Sequence, residues 1–190
     1  MEKELNPLES LEIIKRTIEE AKGRFQDNGW MYIFWGTIIV ICATGQFILQ
    51  SYYPMYAPLI WLLTIAGFIQ NMVYFARKAK QGKRSKNVIS TILKAIGFSV
   101  GINISILGFG FWPYYNVAFV PTVIIFLSLY TIIIGRAIEF KQMFNIGVLV
   151  NILSFGMFFV DLKYQPLGLA AAAILLLLIP GLLLNRMKKT

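Results

Sequence analysis

The side chains of this chain that could carry chemistry are few, and most of them are amides set within long apolar runs. Histidine is absent from the 190 residues, and Cys42 is the single thiol. The polar groups within the apolar runs are Gln46, Gln70, Asn71, Asn103, Asn151 and Ser154. Surrounded by hydrocarbon, such groups hydrogen-bond a neighbouring helix for roughly 1 kcal/mol each, or they line a polar path. The sequence leaves both interpretations open.

Patterns typical of catalysis, metal binding and nucleotide binding are missing from the sequence. No Asp, Glu or His lies deep in an apolar run, whereas proton relays and many cation-coupled carriers use such groups. Paired carboxylates, Cys/His metal spacings, a Ser/His/Asp set and Gly-rich phosphate loops are also lacking. We therefore expect a protein that is not an enzyme and that needs no metal or cofactor.

Small residues recur every four positions in one apolar run, at Gly97, Gly101 and Ser105. This spacing places them on one face of a helix, where they allow a second helix backbone to approach closely. The pattern predicts helix packing along this face. It does not distinguish a neighbouring helix of the same chain from a helix of a second copy.

Composition and the length of the apolar runs indicate a membrane protein. Hydrophobic residues make up 57% of the sequence and charged residues only 14%. The apolar runs measure about 17 to 25 residues, which is what a helix needs to cross roughly 30 Å of hydrocarbon. We predict an all-α membrane protein with six transmembrane helices, arranged as three hairpins. The predicted spans are residues 30–50, 56–76, 88–112, 117–135, 145–162 and 166–184.

The distribution of basic residues predicts the orientation of these spans. Six of them fall between the second and third spans, namely Arg77, Lys78, Lys80, Lys83, Arg84 and Lys86. Short basic loops stay on the cytoplasmic side, so both termini, including the basic tail 186–190, should be cytoplasmic. The net charge of +9 does not indicate nucleic-acid binding, because the bases flank spans and meet lipid head groups there.

Residues 1–29 predict a cytoplasmic amphipathic helix and a linker ahead of the first span. Its apolar stripe includes Leu11, Ile14, Ile18 and Phe25. The segment holds seven acidic and five basic residues, so an anionic leaflet repels it slightly. The stripe should therefore pack on protein. The alternatives are the loops of its own chain, a second copy and a partner; within its own chain, the acidic residues would face the basic loop.

Three short stretches carry a resemblance to a known group of proteins. They are Leu5-Asn6-Pro7-Leu8-Glu9-Ser10-Leu11-Glu12-Ile13-Ile14, Asn28-Gly29-Trp30 and Phe34-Trp35-Gly36. The chain resembles, over about its first quarter, small uncharacterised bacterial inner-membrane proteins with an N-terminal cytoplasmic helix and several spans. The resemblance implies a bacterial cytoplasmic membrane and no catalytic activity.

Two hypotheses for function follow from these patterns. The first is a non-enzymatic membrane protein that acts through protein contacts, as a homo-oligomer or as an accessory or regulatory subunit. The alternative is a small channel or carrier for a neutral or anionic solute, in which the amides line the path.

Overall fold

Six apolar helices dominate the computed structural model, which describes residues 11–13, 15–16, 29–80 and 88–187. Each is long and apolar enough to cross a membrane, which confirms the prediction of a helical, multi-pass protein. They are numbered here as spans 1 to 6. Their membrane-crossing parts are Gly29–Tyr52, Ala57–Tyr74, Thr91–Gly110, Val117–Ala137, Lys141–Phe159 and Gln165–Arg186.

Several spans depart from a single uniform α-helix. Span 1 is the helix Gly29–Tyr52, span 3 is Val88–Gly110 and span 4 is Trp112–Ala137. Span 2 starts with the 3-10 turn Ala57–Trp61 and continues as the α-helix Leu62–Lys80. Span 5 is the α-helix Lys141–Ser154 followed by the 3-10 turn Phe155–Phe159. Span 6 joins the α-helices Gln165–Ala173 and Ile179–Met187 through the π-helical turn Ile174–Leu178.

The connection between spans 4 and 5 is tighter than the sequence suggested. Glu139 adopts the left-handed backbone conformation, with φ of 56°. The N–H of Phe140 donates to the carbonyl of Gly135 at 2.8 Å, and the N–H of Glu139 donates to that of Arg136 at 3.2 Å. These two bonds form a Schellman motif, which ends one helix and reverses the chain within a few residues. Span 5 therefore begins at Lys141, whereas the predicted span begins at residue 145.

Spans 1, 4, 5 and 6 form the packed centre of the molecule. Half of the residues in the membrane-crossing window of span 6 are buried, as are 44% of those in span 4. The corresponding fractions are only 11% for span 2 and 6% for span 3. Span 2 packs chiefly on span 1, and span 3 packs chiefly on span 4. The two outlying helices thus present most of their surface to the surroundings.

Glycines allow the closest approach between the central helices. A Cβ added at Gly135 would lie 2.6 Å from the backbone nitrogen of Phe144, across the contact of spans 4 and 5. One added at Gly147 would lie 2.8 Å from Cγ1 of Ile132 at the same interface. Helices in lipid pack through such small residues, because dispersion contacts and not the hydrophobic effect hold them together.

Most of the predicted amphipathic helix and of the basic loop lies outside the described residues. Leu11 and Ile13 are helical, with 63% and 53% of their surfaces exposed. Ile14, Ile18 and Phe25 are outside the described part, and so are Lys83, Arg84 and Lys86. Arg77 is exposed, and it shares the last turns of the helix Leu62–Lys80 with Lys78 and Lys80. Docking of the helix on the loop stays a prediction.

Candidate functional site

A buried hydrogen bond between Asn151 and Ser128 joins span 5 to span 4. Nδ2 of Asn151 donates to Oγ of Ser128 at 2.8 Å, and that hydroxyl donates to the carbonyl of Ile125 at 2.8 Å. Ser154, one turn beyond Asn151, donates to the Asn151 carbonyl at 2.6 Å. Ser128 is fully buried. Each of these donors has a hydrogen-bond acceptor within the protein, so the group stabilises the contact between spans 4 and 5.

Gln165 connects spans 4, 5 and 6 at the end of the bundle opposite the basic loop. Its Nε2 donates to the carbonyl of Val117 at 2.9 Å. That carbonyl has no donor in its own helix, because residue 121 is a proline without an N–H. The same nitrogen also lies 3.2 Å from the carbonyl of Val160 and 3.4 Å from that of Met157, where span 5 ends. One buried amide thus supplies the donor that Pro121 removes.

Gln46 holds the start of span 2 against span 1. Nε1 of Trp61 donates to Oε1 of Gln46 at 2.6 Å. One turn away, the thiol of Cys42 donates to the carbonyl of Ile60 at 3.4 Å. Cys42 is fully buried, as expected for a small apolar residue in a helix interface. Both contacts lie in the half of the membrane domain away from the basic loop.

The small residues predicted to pack along span 3 divide between two environments. Gly97 contacts span 4, since an added Cβ would lie 3.0 Å from the ring of Tyr130. Gly101 has no atom within 4 Å of the corresponding position. Ser105 and Asn103 are exposed and bond within their own helix, to the carbonyls of Gly101 and Ser99, each at 2.8 Å. Only the first residue of the stripe therefore packs within the described chain.

Gln70 and Asn71 lie towards the C-terminal end of span 2, whereas Gln46 contacts the N-terminal end of that span. They line a small pocket between spans 1 and 2, together with Trp30, Met31, Phe34 and Tyr74. Gln70 is exposed, while Oδ1 of Asn71 is buried without a hydrogen-bond partner among the described residues. An unpaired buried acceptor is costly, and among the described amides Oδ1 of Asn71 shares this state with Oε1 of Gln165.

Protein-family models, curated proteins and solved structures were each compared with the chain, and none of them matches. No family assignment bears on the resemblance given above.

The amides suggested for a polar path lie in four separate places. Gln46 is at the contact of spans 1 and 2, Asn151 is at that of spans 4 and 5, and Asn103 is on the surface of span 3. Gln70 and Asn71 share the pocket. Gln165 was missed because it follows a turn and resembles an ordinary loop residue. The available signal was Pro121, since a proline inside a span frees a carbonyl that needs a donor from elsewhere.

Proposed function

We propose that this chain is a non-enzymatic multi-pass membrane protein that acts by binding another transmembrane helix along span 3. The observation that carries the proposal is the surface of span 3 around Gly101 and Ser105, which lie one turn apart on the same face of the helix. Both small residues are exposed, and span 3 packs chiefly on span 4. The bound helix belongs to a second copy or to a partner for which this chain is an accessory subunit.

The surface around Gly101 suits a helix better than it suits lipid. Gly101 leaves open space where a side chain would stand, so a second backbone can approach closely there. Phe98 and Ile106 flank it with 62% and 52% of their surfaces exposed, and they supply the apolar contact area. The hydroxyl of Ser105 donates to the Gly101 carbonyl and can accept a hydrogen bond across the interface, which acyl chains do not offer.

The orientation in the membrane is part of the same proposal. The spans form three antiparallel hairpins with both termini cytoplasmic, because the bases cluster at one end of the bundle. The resemblance over the first quarter of the chain implies a bacterial inner membrane. Contacts between consecutive spans support the hairpins. Gly45 lies against Ile60 in the first pair and Gly97 against Tyr130 in the second. Gly168 lies against Met157 in the third.

Exchange of glycine for leucine at two positions of span 3 tests the proposal. Gly101→Leu should reduce association at least tenfold, the equivalent of 1.4 kcal/mol, because the side chain fills the space that the second helix needs. Gly110→Leu is the matched control, since Gly110 also has no atom within 4 Å of an added Cβ. Association is measured by co-isolating two differently tagged copies in mild detergent and by identifying any other co-purifying chain.

A monomeric wild type without a co-purifying chain would overturn the proposal, and so would equal effects of the two substitutions. The alternative, a channel or carrier for a neutral or anionic solute, has less support because the amides do not meet. Flux of small solutes through vesicles containing the purified protein, lost in Asn151→Leu, would favour that alternative.

A further inference from the structure

The pocket between spans 1 and 2 combines three aromatic rings, two amides and one methionine. Its volume is about 40 Å³, which is room for roughly three water-sized groups. It lies at the end of the bundle where span 1 begins and span 2 approaches the basic loop. Trp30 and Tyr74 on its rim are partly exposed, so the pocket is accessible from the surroundings of the bundle.

The aromatic rings of the pocket favour a cationic ligand. The rings of Trp30 and Phe34 stack with centroids 5.2 Å apart and planes 15° apart. The ring of Tyr74 lies 6.3 Å from that of Trp30, tilted by 33°. Ring faces carry partial negative charge, and a cation within about 6 Å of a ring centroid is attracted more strongly when it is desolvated. A pocket of this size takes an ammonium group with a short alkyl stem.

Asn71 restricts the cation to one that can donate hydrogen bonds. Its Oδ1 is buried and unpaired, and such an atom gains from any donor brought to it. A primary ammonium offers three N–H donors, whereas a trimethylammonium offers none and is bulkier. Gln70, on the same lining, provides a second amide. The acceptor and the ring faces together select a primary amine.

Arg77, at the end of span 2, disfavours a free amine and favours one attached to an anion. Arg77 lies seven residues after Gln70, so the two share one face of the helix. Helical side chains lean towards the N-terminus, which brings the Arg77 side chain back towards the level of Tyr74. An anionic group beside the ammonium would therefore meet Arg77. The apolar outer face of span 2, with Ile69 and Met72 about 60% exposed, accommodates acyl chains.

We propose that this pocket binds the ethanolamine head group of a phospholipid. The ammonium lies against the rings of Trp30 and Tyr74, and it donates to Oδ1 of Asn71 once that side chain has turned towards the pocket. The phosphate lies towards Arg77, and the acyl chains run along the outer face of span 2. The proposal concerns spans 1 and 2 and is independent of the helix-binding surface on span 3.

Native mass spectrometry of the full-length protein in detergent tests the proposal. Phosphatidylethanolamine, phosphatidylcholine and phosphatidylglycerol with identical acyl chains are titrated separately. Phosphatidylethanolamine should bind about tenfold more tightly than either of the others, a difference close to one hydrogen bond to a charged group. Asn71→Leu should abolish this preference. Asn145→Leu is the matched control, because it removes the same amide from an exposed position on span 5.

Equal affinity of the wild type for the three lipids would overturn the proposal without any variant. A preference for phosphatidylglycerol would also overturn the proposal, because the basic residues alone would then account for the binding. Titration with soluble phosphoethanolamine distinguishes a lipid ligand from a free solute. If phosphoethanolamine binds as tightly as phosphatidylethanolamine, the ligand is not a lipid. If Asn71→Leu does not fold, Trp30→Leu replaces it, because Trp30 is half exposed and its substitution should leave the fold intact. Trp30→Leu should lower the same preference for phosphatidylethanolamine.

Discussion

The proline in span 4 and the glutamine at the start of span 6 depend on each other. Gln165 donates to the carbonyl that Pro121 leaves without a helical partner. Gln165→Leu should therefore lower the free energy of unfolding by about 1 to 3 kcal/mol, the usual penalty for a buried polar group left unpaired. The measurement is denaturation of the purified protein in mixed detergent micelles, followed by circular dichroism.

A double-mutant cycle separates this dependence from general loss of packing. Pro121→Ala restores an N–H four residues after Val117, so that carbonyl regains a partner within its own helix. In that background Gln165→Leu should cost about 1 kcal/mol less than in the wild type. Equal costs in both backgrounds would show that Gln165 stabilises the bundle only through span 5, where Val160 and Met157 offer their carbonyls.

Residue types alone could not predict which amides are satisfied. Gln46, Asn103 and Asn151 are all set within apolar runs, and the sequence treats them alike. In the structure the first accepts from Trp61, the second donates within its own helix, and the third donates to Ser128. These partners are far apart in the sequence or depend on the rotation of each helix about its axis. Hydropathy carries no information on either.

At the scale of elements, the turn between spans 4 and 5 holds a non-glycine residue in a conformation that favours glycine. Glu139 has φ of 56° at the position of a Schellman motif that is usually glycine. Glu139→Gly should raise the free energy of unfolding by about 0.5 to 1 kcal/mol, because it removes the steric cost of the left-handed conformation. Chemical denaturation in detergent measures the change.

Glu139→Ala is the control for the carboxylate. It keeps the steric cost and removes the charged group, so it should not stabilise the protein. If alanine stabilises as much as glycine, the gain comes from loss of the charge and the conformational argument is wrong.

The existence of six spans could be predicted because length and hydropathy are local properties. Their internal irregularities could not. No glycine marks the reversal at Glu139, so nothing in the sequence predicts a tight turn there. The π-helical turn Ile174–Leu178 precedes Pro180, whose ring cannot fit against an unbroken preceding turn. A proline signals some adjustment in a span, but not whether the helix kinks, breaks or widens.

At the scale of the whole molecule, the six spans contribute unequally to the packed centre. Span 6 is half buried and span 3 is 6% buried, although both are strongly apolar. In a soluble protein apolar surface must be covered, so hydropathy helps to identify the core. In lipid the apolar outer face of a helix already contacts an apolar environment and need not be covered by protein. Only the details of packing then distinguish a central helix from an outlying one. Sequence patterns therefore do not predict which spans are central and which are outlying.

The N-terminal segment and the basic loop carry opposite net charges. Residues 77–86 hold six bases and no acids, whereas residues 1–29 are acidic in balance. We predict that the N-terminal helix lies across the end of the bundle that carries the basic loop. Exposed ion pairs contribute only about 0 to 1 kcal/mol each, so most of the docking energy must come from burying the apolar stripe. Each fully buried side chain of that stripe contributes roughly 1.5 to 3 kcal/mol.

Two measurements examine this docking in full-length protein carrying Cys42→Ser. Glu12→Cys with Lys80→Cys, together with a scan of neighbouring pairs, should form a disulfide within one chain, and the yield should persist in high salt. Ile14→Asp with Ile18→Asp should suppress the crosslink, because two buried charges cost more than the stripe can offset. Crosslinks that form only between chains, or only with another protein, would assign the helix to a second copy or a partner, since the apolar stripe would then be covered from outside the chain.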